Sequence, residues 1–332
     1  RKYRGVIMLP DIYFDKNFGK LYEEIENAKA TVFEFESSSG KIRHQFMMRE
    51  IPDIEGYYDI VTPYGYGGPL ITECTGDRAV LAEEFAEVFG KYCDENKIVS
   101  EFVRFHPIVN NQADFRNMYE TVYMHNTVGT DIANHNDPVQ EEFSKSCRKN
   151  IRQAINKGVT CRITESPENL NTFIPIYYDT MDRDKASDYY YFPKSYFETC
   201  LKYYRENILL VEAFYEGQVI AAGFYFVYNG ILQTHLSGTR KEFLFLSPAY
   251  MLRYTAANWA KENGIYVIHH GGGTDNSSEN SLYRFKKQFT KGTEFGFYIG
   301  KKIWNEKIYN ELCVQKNVNR DTVEYFPQYR AK

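Results

Sequence analysis

The sequence predicts an α/β (α+β) fold made of two similar tandem units, each with a mostly antiparallel mixed sheet flanked by helices. Each half of the chain reads strand, loop, helix, strand, and the two copies lie about 170 residues apart. The second half also contains three strand-like runs joined by tight turns. A hydrophobic content of 43% in 332 residues is sufficient for sizeable cores.

In the first half, a strand in YYDIVTPY (57–64) leads into the glycine-rich GYGGP (65–69). We expect a helix from about Asp77 to Glu95 and then a strand in KIVSEFVRFHP (97–107). GYGGP has neither the Lys-Ser/Thr of a Walker loop nor the G-x-G-x-x-G pattern, so a tight turn is its simplest interpretation.

One helix is predicted from Pro138 to Lys157, at the middle of the chain. Asp137 can cap it, Gln140 can complete a capping box, and Gly158 can end it. Phe143, Cys147, Ile151, Ala154 and Ile155 give it an apolar stripe. A basic surface lies off that stripe (Lys145, Arg148, Lys149 and Arg152). It could contact tRNA phosphates, although a solvated face is the commoner explanation.

The second-half strands are joined by turns at Glu216-Gly217 and Asn229-Gly230. Ser247 can cap a helix that opens at Pro248 and ends near Gly264, and the strand IYVIHHGGG (265–273) follows. An antiparallel meander followed by a helix and a further strand is the order of the GNAT acyltransferase fold.

Composition narrows the class of protein. The net charge of −4 argues against a surface that is basic throughout and binds nucleic acid over its whole area. The six cysteines are widely spaced and form no C-x-x-C, which argues against a zinc site or a disulfide scaffold. We recognise no secretory signal, and the longest apolar run, Val219 to Val227, is too short to span a bilayer. These features favour a cytoplasmic protein.

The motif HHGGGTDN (269–276) resembles the oxyanion loop of lipases, but no G-x-S-x-G is present and the glycines come too late in the chain. A serine hydrolase is therefore excluded. We interpret Gly271, Gly272 and Gly273 as the floor of an acyl-transfer cleft, because they follow a strand and precede a lysine-containing helix. A plain strand-to-helix loop is the alternative, and neither His269 nor His270 is assigned as a base.

Four stretches, in this order, together resemble the Fem-type aminoacyltransferases: YYDIVTPYGYGGP, SCRKNIRQAINKGV, HLSGTR and HHGGGTDNSSENSLYRFKKQF. The resemblance covers nearly the whole chain. It implies tandem GNAT-like domains, which we place at 1–145 and 146–305, with a tail at 306–332 that packs back on the first domain. It also implies aminoacyl-tRNA as the donor and an amine on a nucleotide- or lipid-linked cell-wall or glycan precursor as the acceptor. No sustained heptads are found, so the coiled-coil insertion of some members is absent.

The resemblance also implies site residues. Lys286, in the F-K-x-x-F motif, would stabilise the oxyanion or the departing ribose oxygen, with Arg284 and Lys287 adding positive charge. A solvated helix face beside a core stripe of Leu282, Phe285 and Phe289 is the alternative. Arg183 resembles the family arginine that contacts a phosphate or pyrophosphate of the acceptor. Further candidates for acceptor contacts, from their positions in the sequence, are Tyr189 to Tyr191, Tyr64, Tyr66, Arg104 and His106, and each of these residues could instead be structural.

Aminolysis of an aminoacyl ester is downhill, so we expect neither a cofactor nor a metal. We also expect a monomer that could meet a substrate at a membrane surface. One alternative is an acyl-CoA-dependent N-acyltransferase of nucleotide-linked amino sugars. It is disfavoured because Arg240 to Tyr250 lacks the glycines that cradle a pyrophosphate. A second alternative is a non-catalytic glycan- or RNA-binding module.

Overall fold

A computed structural model describes residues 9–273, 277 and 279–331. They form two compact units. Unit 1 contains the residues up to Met124 and those from Gly296 onward, and unit 2 is His125–Phe295. The boundaries expected from sequence, 145/146 and 305/306, lie farther along the chain than these divisions, and they remain a prediction about folding domains.

The strands and helices are as follows. The strands are β1 Lys29–Ser37, β2 Gly40–Glu50, β3 Tyr58–Val61, β4 Leu70–Cys74, β5 Ile98–Arg104, β6 Glu120–Asp131, β7 Thr160–Glu165, β8 Ile208–Tyr215, β9 Gln218–Tyr228, β10 Ile231–Thr239, β11 Val267–Gly271 and β12 Glu294–Ile303. The helices are α1 Glu23–Glu26, α2 Arg78–Glu95, α3 Pro138–Glu142, α4 Lys145–Asn156, α5 Phe173–Asp184, α6 Lys194–Tyr204, α7 Pro248–Glu262, α8 Ser281–Lys286 and α9 Glu306–Gln315.

In unit 1 the strand order is β1-β2-β3-β5-β12, with β4 paired to β2. Strands β3 and β5 are parallel and α2 lies between them in the chain, whereas the other described pairings are antiparallel. The helix predicted from about Asp77 to Glu95 is α2, and Asp77 caps it, with its Oδ1 accepting from the Ala79 N–H at 2.8 Å. Leu81, Phe85 and Phe89 form the buried face of the helix, which covers the sheet.

The C-terminal segment packs on the elements of unit 1. Ile308, Tyr309 and Leu312 of α9 share a buried apolar cluster with Val99 of β5. Three side chains converge on the buried carboxylate of Asp59, those of Arg49, Tyr329 and Arg330. Apolar burial and charge-assisted hydrogen bonds thus both hold this segment.

In unit 2 the strand order is β6-β11-β10-β9-β8-β7. Strands β10 and β11 are parallel and connected through α7, and their neighbours pair antiparallel. The predicted turns are confirmed, because Glu216-Gly217 and Asn229-Gly230 all adopt the positive φ that two-residue hairpins require. Both units therefore run antiparallel strands into a parallel pair joined by a helix, which confirms the predicted α/β class and its duplicated order.

The single helix predicted over 138–157 is wrong, because the chain forms α3 and α4 instead. Phe143 is extended, and Ser144 starts a new helix by accepting from the Cys147 N–H at 3.1 Å. Asp137 caps α3 as expected, but Glu141 rather than Gln140 returns the capping-box bond. A serine N-cap inside an amphipathic pattern therefore divided it in two.

Within the part of the chain that the structure describes, no helix has the length and apolar character needed to cross a bilayer. The six cysteines are all unbridged, and four of them are buried.

Candidate active site

The candidate site is in unit 2, where the pairing of the two parallel strands ends. Strands β10 and β11 pair over only three residues, ending at Gln233 opposite His269. Beyond this point β10 continues to Thr239 along β9, whereas β11 ends at Gly271. The candidate site residues are those near this point on the neighbouring elements β11, α7 and α8.

Lys286 is the last residue of α8, which Asn280 caps by accepting from the Tyr283 N–H at 3.0 Å. Its Nζ donates to the carbonyl oxygen of Gly272, just beyond β11, at 2.6 Å. Burial, and secondarily the charge of Arg253, lowers the pKa of Lys286 from 10.5 to about 7. Both its ammonium and its neutral amine are therefore populated near neutral pH.

Arg253 is the cation whose charge acts on Lys286. The sequence did not indicate it as a site residue. It is 6% exposed and lies on the buried face of α7. Its guanidinium carbon is 5.1 Å from the ring centroid of Phe285 and 5.4 Å from that of Phe289. Its Nε has no hydrogen-bond partner among the described residues, and no carboxylate pairs with it there. The available signal was an arginine in register with the buried alanines Ala256, Ala257 and Ala260.

His270 and Tyr225 add two more buried polar groups. The His270 Nε2 lies 2.9 Å from Thr130 Oγ1, whose hydroxyl donates to the Phe289 carbonyl oxygen at 2.6 Å. Thr130 must therefore accept from His270, which puts the ring proton on Nε2 and leaves Nδ1 as a bare acceptor. Burial and the nearby cations lower the pKa of His270 well below its ordinary value. Neither His270 Nδ1 nor Tyr225 Oη has a partner among the described residues.

His269, in contrast, is fully engaged. Its Nδ1 lies 2.8 Å from Gln233 Oε1 and its Nε2 lies 2.8 Å from Thr127 Oγ1. With both ring nitrogens bonded and 1% of the residue exposed, His269 ties β6, β10 and β11 together.

The three glycines lie next to Lys286. Gly271 adopts a φ of +73°. A Cβ at Gly272 would stand 2.2 Å from His125 Cε1, and one at Gly273 would stand 2.8 Å from Asn280 Oδ1. Close packing thus requires glycine at 272 and 273, and the predicted role as a cleft floor remains a prediction. Residues 274–276 of the motif lie outside the described residues.

The other residues of α8 differ from expectation. Lys287 forms an ion pair with Glu294, and Arg284 pairs with Glu279, so both charges are balanced locally. Leu282 is 38% exposed, so its predicted place in a core stripe is wrong, whereas Phe289 is fully buried. The α-helix ends at Lys286 and continues as a 3₁₀ turn, which rotates the stripe.

Arg183 and Tyr189 belong to the same unit. Arg183 Nη1 donates to the Thr239 carbonyl oxygen, at the end of β10, at 2.7 Å, and its Nε donates to Asp184 at 3.0 Å. Tyr189 is 37% exposed. Acceptor contacts by these two residues remain a prediction.

The unit 1 residues form an internal polar and aromatic cluster. The His106 Nε2 lies 2.8 Å from Asp11 Oδ2, and its Nδ1 accepts from the Val109 N–H at 3.2 Å. Tyr66 packs edge-on to His106, with the ring centroids 5.6 Å apart. Tyr64 packs against Tyr22, and Arg104 donates to the Thr62 carbonyl oxygen at 3.1 Å. Their predicted substrate contacts are not tested by these bonds, which have a structural function of their own.

Of the basic surface on α4, Lys145, Lys149 and Arg152 are exposed. Arg148 is partly buried and donates to the carbonyl oxygens of Gln140 and Phe143. It therefore satisfies the C-terminal carbonyls of α3, and three cations are left for an external partner.

The segment that would cradle a pyrophosphate is a 3₁₀ helix, Lys241–Leu246, followed by Ser247 at a φ of +54°. The predicted Ser247 side-chain cap is wrong, because its hydroxyl makes no capping bond. Pro248 has no N–H, and the Tyr250 N–H is already bonded to the Ser247 carbonyl oxygen at 3.1 Å. This helix start therefore offers few amides to an anion.

The described residues contain no group of three or more His, Cys, Asp or Glu side chains placed to hold a metal ion. Lys286, with its lowered pKa, can supply acid–base and electrostatic chemistry.

Comparison with known proteins adds to this geometry. Residues 144–287 match the family model described as an acetyltransferase (GNAT) domain. A search of curated proteins gives no significant match.

Among solved structures, the chain is similar to FemX, with a TM-score of 0.69 and 13% identity over 91% of this chain and 94% of that one. It is also similar to the C-terminal domain of a putative lysylphosphatidylglycerol synthetase from Agrobacterium fabrum, with a TM-score of 0.57 and 10% identity over 89% of each chain. L-PGS from Bacillus licheniformis has a TM-score of 0.54 and 14% identity over 91% of this chain and 94% of that one.

These likenesses extend over most of the chain, and the matched segment contains Lys286, Arg253 and His270. Residues 144–287 thus match an acetyltransferase (GNAT) domain, and the chain as a whole has the fold seen in FemX.

Proposed function

We propose that this acyltransferase moves an aminoacyl group from aminoacyl-tRNA to an amine on a peptidoglycan or surface-glycan precursor, in the cytoplasm, with Lys286 as its catalytic residue. One observation carries the proposal. Lys286 is held at the strand divergence by the Gly272 carbonyl, and burial and Arg253 lower its pKa to about 7.

Transfer forms a C–N bond to the acceptor amine and breaks the ester C–O bond to the ribose. The acceptor amine must lose a proton, and the ribose oxygen must gain one. A group with a pKa near the working pH is suited to both steps, because each protonation state is accessible. Neutral Lys286 takes the proton from the attacking nitrogen and, as the ammonium, returns it to the departing oxygen.

Electrostatics assists the same step. The carbonyl oxygen becomes negative in the tetrahedral intermediate, and the ammonium of Lys286 lowers the energy of that oxyanion. Such preorganised charge in a partly desolvated site often contributes about 3–4 kcal/mol per donor. Because His270 is held neutral, its Nδ1 can accept a hydrogen bond but adds no positive charge.

The acyl-CoA alternative is less well supported. The segment before α7 has no glycine, and its first helical residue, Pro248, has no N–H to donate to a pyrophosphate. The exposed cations Lys145, Lys149 and Arg152 of α4 lie in the same unit as Lys286 and could meet tRNA phosphates.

Equilibrium binding of charged tRNA and of acetyl-CoA, measured side by side at one salt concentration, tests the donor. Saturable binding of charged tRNA without binding of acetyl-CoA is expected. Tight binding of acetyl-CoA alone would replace this proposal with a sugar N-acyltransferase.

Lys286→Met tests the catalytic role, with the exposed Lys291→Met as its matched control. We expect Lys286→Met to bind charged tRNA normally and to lose transfer by about a hundredfold or more. Unchanged transfer by this variant would refute the role of Lys286.

A further inference from the structure

Resting on the function proposed above, we infer that the acyl group taken by this site carries a carboxylate, which binds to the guanidinium of Arg253 and the hydroxyl of Tyr225. Aspartyl and glutamyl groups are the aminoacyl groups of this class.

The inference starts from an excess of buried donors. Arg253 is 6% exposed and Tyr225 is 1% exposed. The Arg253 Nε and the Tyr225 Oη are both without a hydrogen-bond partner in the described chain. A native protein pairs nearly all of its buried polar groups. Arg253 and Tyr225 lie close enough to interact electrostatically, so these two unpaired donors point to a ligand that accepts hydrogen bonds.

Charge indicates what kind of acceptor the ligand offers. Arg253 keeps its positive charge in proteins, and its contacts to the rings of Phe285 and Phe289 do not neutralise it. A buried charge without a counterion costs several kcal/mol. A ligand carboxylate removes that cost and matches the planar fork of a guanidinium.

Burial favours a carboxylate over a phosphate. Phosphates of tRNA or of a nucleotide sugar are flanked by sugars and bases, which cannot enter beside a side chain that is 6% exposed. A side-chain carboxylate ends a narrow chain of one or two methylenes. The Tyr225 ring folds back over its own strand and packs against Gly223, where a Cβ would stand 2.6 Å from Tyr225 Oη. The hydroxyl is therefore fixed in position.

His270 and Lys286 contact other parts of the substrate. His270 Nδ1 is a bare acceptor, so it cannot bind a carboxylate but can accept from the amino group of an aminoacyl donor. Lys286 Nζ donates to the Gly272 carbonyl oxygen, near the point where β10 and β11 separate. Arg253 and Tyr225 thus recognise the acyl group, whereas Lys286 performs the transfer.

The test uses stable amide analogues of the charged tRNA end, aspartylamido-adenosine and its asparaginyl counterpart, which differ by one charge but hardly in shape. Calorimetric titration should give tighter binding of the aspartyl compound by about ten- to a hundredfold, as a charge-assisted hydrogen bond predicts. The glutamyl and glutaminyl pair identifies the preferred length. Equal affinity within both pairs would overturn the inference and leave the proposed donor class intact.

Variants locate the effect. Arg253→Met should bring the aspartyl-to-asparaginyl ratio close to one, and Tyr225→Phe should reduce it. Arg205→Met, which removes an arginine with a side chain 46% exposed, serves as the control and should keep the ratio. Arg253→Lys retains the charge and should keep part of the aspartyl preference that Arg253→Met loses. Circular dichroism verifies that each variant is folded. A full preference in a folded Arg253→Met would overturn the assignment.

A dicarboxylic acyl-CoA could bring the same carboxylate from another source, so succinyl-CoA and butyryl-CoA are titrated in parallel. Preference for succinyl-CoA, with no binding of any nucleoside analogue, would support the carboxylate site and refute the proposed tRNA donor. Failure of every carboxylate-bearing probe to bind better than its neutral partner would refute the site itself.

Discussion

Lys286 should react with acylating reagents at a pH where ordinary lysines are almost inert. Only the neutral amine attacks such reagents. With a pKa of about 7, about half of Lys286 is neutral at pH 7, and its neutral fraction rises from about one-tenth to about nine-tenths between pH 6 and pH 8. An amine with the ordinary lysine value of 10.5 is neutral in only about 0.03% of molecules at pH 7, so the two fractions differ by about a thousandfold.

Trace labelling with acetic anhydride measures this fraction without any substrate. The folded protein is labelled across about pH 6 to pH 10, and each lysine is then quantified by mass spectrometry after full labelling with the deuterated reagent. We expect the profile of Lys286 to have its midpoint near pH 7, and the unfolded protein to give the ordinary lysine profile. A midpoint above about pH 9 in the folded protein would show that the reasoning from burial and Arg253 is wrong.

The same assay separates the two causes. Removing a neighbouring cation favours the charged form of an amine, so Arg253→Met should move the Lys286 midpoint to higher pH. Because burial is the larger cause, the midpoint should stay below that of the unfolded protein. No movement would mean that Arg253 does not act on Lys286.

Three predictions concern stability, each measured by denaturant unfolding. Arg253→Met should be neutral or raise the unfolding free energy by about 1–3 kcal/mol, because an unpaired buried charge is lost, and a large decrease would contradict this. Gly272→Ala should lower it by about 1–3 kcal/mol through its clash with the His125 ring, whereas Gly292→Ala, with no atom within 4 Å of the new Cβ, should change it little. Equal effects would refute the packing account. Asp11→Ala should lower the unfolding free energy by about 3–5 kcal/mol because it removes the partner of the buried His106 Nε2, and a loss below about 1 kcal/mol would refute a structural role for the pair.

Local signals in the sequence predicted much of the fold. The pairs Glu216-Gly217 and Asn229-Gly230 mark hairpins because both residues of such turns need positive φ, which glycine and asparagine tolerate best. Asp77 marks the start of α2 for a similar local reason. The break at Ser144 was not foreseen, since serine is compatible with both a helix interior and an N-cap, and the choice depends on tertiary packing.

The candidate site was only partly accessible to the same reasoning. Lys286 was found through its motif, but its lowered pKa depends on burial and on Arg253, which is distant in sequence. An arginine in a helix is ordinarily expected at the surface, so Arg253 attracts attention only when its alignment with the alanines of α7 is known. Tyr225 and His270 lie in apolar strands. Only the three-dimensional structure reveals that Tyr225 Oη and His270 Nδ1 have no partner among the described residues.

The two units share a strand and helix order, and both pair buried acids with basic side chains, as Glu212 with Arg162 shows in unit 2, but unit 2 also buries a cation without a described partner. In unit 1 the buried acids are paired: Asp11 with His106, Asp59 with Arg49, and Glu101 with His44. In unit 2 Arg253 is buried without a described carboxylate partner, and the charge of Lys286 is opposed by burial.

A buried charge that has a partner is already compensated in the unliganded protein. An unpaired buried donor raises the free energy of the unliganded protein, and this cost is removed when an anion binds or forms beside it. The duplicated topology therefore does not imply duplicated chemistry. On electrostatic grounds we place the proposed reaction in unit 2, near the point where the pairing of β10 and β11 ends.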